Sequence, residues 1–138
     1  MATKRDKREL LISAVKKARQ LVNMRSKDDI IPFAFRVLPR FTLTDYHKVY
    51  YTILNMFAHG RIKKLIVSMP PQHGKSQGSS RILPAYILGL NPDAKIAISS
   101  YGATIAESFS RDIQRIMVQP EYQEIFPSTK LPHSDTGY

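Results

Sequence analysis

Leu65-Ile-Val-Ser-Met-Pro-Pro-Gln-His-Gly-Lys-Ser76 is an apolar run that stops at paired prolines and leads directly into Gly74, Lys75 and Ser76. From Met69 onward it matches the phosphate-loop pattern G-x-x-x-x-G-K-[ST] at every fixed position except the first, where methionine replaces glycine. A bare Gly-Lys-Ser triplet is a weak signal. Here the flanks strengthen it, because an apolar segment precedes the loop and helix-forming residues follow it.

The pattern asks for specific chemistry. Backbone N–H groups from about His73 to Ser76 converge on a concavity at a helix start, where the helix dipole favours an anion. Gly74 lets the backbone approach a phosphate closely. Lys75 reaches the β- and γ-phosphates of ATP as a point charge, and the Ser76 hydroxyl becomes a ligand of the Mg2+ that bridges them. Gln72, His73, Gly74, Lys75, Ser76 and Gln77 are therefore the candidate nucleotide-binding residues, with Ser76 as the metal contact. His73 contributes its backbone and no ring chemistry, and Gln72 points either at the γ-phosphate or outward.

Working outward, Lys63–Met69 has the composition of a buried parallel strand, and Lys95–Ser99, after the Asn91-Pro92 turn, that of a second. Between them a helix is expected from about Gly74 to Leu88, with Pro84 as a kink or a new start and Gly89 as its close. Another is expected over residues 103–118. Thr44 predicts an N-cap for a helix to about His59, stopped by Gly60. Nearer the N-terminus, Leu10, Leu11, Ala14, Val15, Ala18, Leu21 and Val22 form one stripe of a helix over about residues 4–24 that needs a packing partner. Residues 25–43, with Pro32 and Pro39, read as an irregular connection, and Gln119–Tyr138 as a proline-rich tail without period. Helix, strand, helix, strand, helix is the order of βαβ units and a parallel sheet.

The chain has 138 residues, enough for one core, and lacks cysteine, which removes disulfides and thiolate metal sites. Its net charge of +10 favours polyanionic partners such as nucleic acid. Much of that charge lies before residue 30, in Lys4, Arg5, Lys7, Arg8, Lys16 and Lys17 among others. No run approaches the apolar length of a membrane span.

From Tyr46 to Pro127 the sequence resembles the large terminase subunit of tailed bacteriophages and prophages. The likeness is carried by Tyr46-His47 opening a helix that ends at His59-Gly60, by the loop segment through Ser76, and by Asn91-Pro92 through Ser99-Ser100-Tyr101 to Ser110-Arg111-Asp112, with Glu121-Tyr122 and Phe126-Pro127. A missing first glycine is common in that family, whereas many members have arginine at the position of Gln72.

The resemblance implies an α/β fold: part of a P-loop NTPase parallel sheet of the ASCE type with flanking helices, preceded by an N-terminal helical segment. Residues 1–43 would be the basic N-terminal segment and 44–138 the beginning of the ATPase domain, ending before the Walker B acids. It also implies Tyr46 or His47 beside the adenine as secondary candidates, with Tyr46 fitting a core position better. ATP hydrolysis in such proteins drives double-stranded DNA into a procapsid. The partners implied are the small terminase subunit, the portal and other copies in a ring, in the cytoplasm of a bacterial host. No apolar run ending in paired acids occurs in this chain, so efficient hydrolysis by it alone is not expected. Other classes fit the same loop: a helicase-like ATPase, a small-molecule kinase, or a non-catalytic binder of phosphate or nucleic acid.

Overall fold

In the computed structural model the backbone is described for residues 4–131 and side chains from Asp6 onward. Lys4 and Arg5 of the basic run, and the end of the proline-rich tail, lie outside the described side chains.

The chain is helical throughout its ordered elements. Helix α1 spans Lys4–Asp28, α2 Ile30–Val37 and α3 Asp45–Ala58. From Lys75 to Leu90 the backbone is one uninterrupted right-handed helix in three parts: α4 (Lys75–Gln77), a π-helical turn (Gly78–Ile82) and α5 (Leu83–Leu90). Helix α6 covers Ala103–Met117 and α7 Pro120–Ile125.

The α/β parallel sheet expected from the sequence does not form: the described residues contain no strand. Both segments taken for strands are without regular structure, and among the described residues no ladder joins them. Leu65, Val67 and Met69 lean on the core while Ile66 is 97% exposed, so only one face of the segment is covered. A buried parallel strand needs cover on both faces and a hydrogen-bonded neighbour. Residues 65–70 lie along α3, whereas 94–99 lie along the π turn and α5, so each meets helices.

The core instead joins helices from both halves of the chain. Ile30, Phe33, Ala34 and Val37 are spaced for one face of α2, and all are buried. Asp29 caps that helix by accepting from the Ile31 N–H at 2.9 Å. The stretch read as irregular thus supplies the centre of the protein, and Pro32 is tolerated because it falls in the first turn, where no intrahelical N–H bond is required. Phe33 meets Tyr86 of α5 at 5.2 Å between ring centroids, Tyr122 of α7 at 5.9 Å and Phe126 at 5.7 Å. Buried phenols keep partners: Tyr86 donates to the Lys27 carbonyl at 2.8 Å and Tyr122 to that of Ala85 at 3.0 Å. Burial pushes the Tyr122 pKa up to about 12.

Two further expectations change. Gly89 does not end its helix but lies buried within α5, where an added Cβ would sit 2.3 Å from the Phe126 ring. The apolar stripe of α1 finds no cover either: every side chain from Asp6 to Val22 is exposed, Leu10 and Leu11 by 66% each. The helix is held near its C-terminal end, by Arg19 on Glu124 at 3.0 Å and by buried Ser26. No described helix is long and apolar enough to cross a membrane.

Candidate phosphate-binding site

The loop is built on α3 and on the start of the Lys75–Leu90 helix. Thr44 is the N-cap of α3, and its N–H donates to Nδ1 of His47 at 3.4 Å. A nitrogen that accepts is unprotonated, which leaves the hydrogen on Nε2; that nitrogen lies 3.3 Å from the His73 carbonyl oxygen, the direction of a donated bond. One imidazole therefore ties the α3 cap to the loop. Tyr50, one turn further along α3, donates its hydroxyl to the Lys75 carbonyl at 2.7 Å, and burial raises its pKa above the ordinary value.

The loop backbone is unusual in two places. Gln72 has φ 62°, rare for a residue with a Cβ, and Gly74 has φ 75° immediately before the helix. Two positive-φ residues on either side of His73 bend the backbone sharply just ahead of the helix start. His73 closes the turn by donating Nδ1–H to the Pro71 carbonyl at 2.7 Å. No side chain caps the helix at Gly74.

Five of the six loop candidates come together, while His73 lines the adjoining larger cavity. Gln72, Gly74, Lys75, Ser76 and Gln77 line a cavity of about 290 Å3, and among the described residues no carboxylate lines it. Lys75 has no ion-pair partner among the described residues. A larger cavity, about 540 Å3, adjoins the loop and is lined by Phe41, Tyr46, His47, Tyr51 and Gly74 among others. Tyr46 is not a core residue: it is 46% exposed, with its ring 5.7 Å from that of His73. Ser99, Ser100 and Tyr101 line neither cavity, and Tyr101 is 95% exposed.

The donors suit a phosphate that brings its own magnesium. Ser76 offers a hard hydroxyl oxygen of the kind Mg2+ takes beside phosphate oxygens. Among the described residues no group of three His, Cys, Asp or Glu could hold a metal by itself.

Sequence reasoning missed two contributors. Tyr50 belongs to no motif, yet its hydroxyl supports the loop. Arg81, two turns into the helix, lines the smaller cavity with Lys75. Helical spacing from His47 points to Tyr50; nothing local points to Arg81, because the π turn sets its direction.

Comparison with known protein families, with curated proteins and with solved structures gives no match to this chain.

Proposed function

We propose that residues 70–77 grip the phosphates of a magnesium–ATP complex, and that the chain contributes this half-site to a DNA-packaging ATPase of the terminase large-subunit kind. The conjunction of Gly74 at positive φ with Lys75 and an exposed Ser76 around a cavity that, among the described residues, no carboxylate lines supports this most directly. Backbone N–H groups at the helix start would hold the β-phosphate, Lys75 would span the β- and γ-phosphates, and Ser76 would take one position on the magnesium. The magnesium supplies charge neutralisation between the phosphates. His47 holds the loop carbonyl in place, and the neighbouring cavity beside Tyr46 and His47 has room for the base.

Lys7, Arg8, Lys16 and Lys17 stand exposed on α1, which suits a polyanion such as double-stranded DNA, held through salt-sensitive contacts to phosphate. The small subunit, portal and ring partners of such a motor belong to the same proposal and rest on the sequence resemblance.

Because no acid lines the cavity to orient water, a non-catalytic binder is the second reading. One experiment separates them: magnesium-dependent binding of a fluorescent ATP analogue to the chain and to Lys75→Ala, with phosphate release followed in the same samples. Binding lost in the variant supports the phosphate loop, and release above background then favours an ATPase over a binder. Equal binding by both proteins, or by neither, rejects the loop as a phosphate site.

A further inference from the structure

Two cations face the loop cavity. Lys75 comes from the first residue of the helix and Arg81 from the π turn that follows, and Pro70, Gln72, Gly74 and Ser76 complete the lining that matters here. Helical side chains tilt toward the N-terminus, so an arginine beyond the first turn brings its head back toward the loop. An enclosure lined by an ammonium and by a guanidinium paired through Nε with Asp112 offers an anion more charge-assisted donors than one ammonium alone.

The guanidinium is held in advance. Its Nε donates to Asp112 Oδ2 at 2.7 Å, and the group lies over the Phe109 ring, 5.0 Å from the centroid. Asp112 is itself shared, its Oδ1 accepting from Arg115 at 3.2 Å. Anchoring through Nε and stacking fixes the plane of the fork and leaves both terminal nitrogens without a protein acceptor among the described residues. Such a fork pays little ordering entropy when it meets a tetrahedral oxyanion.

We propose that Arg81 is a specificity-determining residue that makes this site favour a nucleoside triphosphate over a diphosphate. The inference rests on the phosphate-loop reading above. Loop amides hold the β-phosphate common to both nucleotides, and Lys75 reaches from it to the γ-phosphate. Arg81 meets the terminal phosphate, which only the triphosphate has, while Asp112 and Phe109 hold the guanidinium in position.

The test is equilibrium binding of ribose-labelled fluorescent ATP and ADP, with magnesium, to the full chain and to Lys75→Ala, Arg81→Gln and Arg81→Lys, each checked for folding by thermal melting. Arg81→Gln is expected to weaken ATP binding about tenfold or more and ADP binding less than about twofold, as the loss of a charge-assisted contact to one phosphate requires. Equal loss for both nucleotides, or loss for neither, in a protein whose Lys75→Ala form no longer binds, overturns the role of Arg81 and leaves the loop standing. Unchanged binding by Lys75→Ala means that the loop is not the site, and the role of Arg81 fails with it. If Arg81→Gln does not fold, Arg81→Lys carries the comparison: it keeps the charge but not the anchored fork, and the preference for ATP should fall by about threefold or more.

Discussion

The two ends of the Lys75–Leu90 helix use glycine for opposite reasons. At the open end Gly74 is needed for its backbone angle, φ 75°, and its surroundings leave a Cβ at 3.2 Å from His47 Nε2. At the buried end Gly89 is needed for space, since a Cβ there would meet the Phe126 ring at 2.3 Å. One end is a loop with free amides around a cavity; the other is closed by Phe33, Tyr86, Tyr122 and Phe126. The core and the proposed site therefore lie at different places on a single helix, and substitutions should affect stability and binding separately.

The largest effect should come from the buried end. Phe33→Ala removes the ring that touches three aromatic partners and should cost about 3–5 kcal/mol in urea unfolding, with nucleotide affinity of the folded fraction unchanged. A cost near zero would mean that the aromatic centre is not the core. Gly89→Ala should lose about 1–3 kcal/mol by overpacking against Phe126, again without a binding defect.

At the open end, Gly74→Ala should lose about 1–2 kcal/mol from its left-handed backbone, together with most phosphate affinity. Gly60→Ala is the matched control: its φ is 71°, no atom lies within 4 Å of an added Cβ, and so the strain should be similar while binding survives. Comparable binding by both variants would separate the loop backbone from the site.

The smallest effect should appear with pH. The Tyr122 phenol has a folded pKa raised to about 12 from an ordinary 10, so the fold favours its neutral form. Its contribution is complete below pH 10 and is lost as pH rises toward 12. Urea midpoints measured across that window should fall, and less steeply in Tyr122→Phe.

Legibility followed how local each cause was. Helix α3 could be read from Thr44 and Gly60, and the loop residues from their own spacing, because caps and turns act within a few positions. Helix α2 had the signals, Asp29 ahead of Ile30, Phe33, Ala34 and Val37, but Pro32 obscured them. The supposed strands failed for another reason: an apolar extended run looks the same whether its neighbour is a strand or a helix, and only the tertiary partner decides. Arg81 was hidden in the same way, its placement set by Asp112 and Phe109 from α6.

Helix α1 has a mechanical consequence. Its 25 residues make a rod about 37 Å long, and Arg19 and Ser26 fasten it to the body toward its C-terminal end. Such a projection adds friction out of proportion to its mass. The protein should diffuse more slowly and elute earlier on sizing than a sphere of 15.8 kDa, and trypsin should cut first at Lys7, Arg8, Lys16 and Lys17.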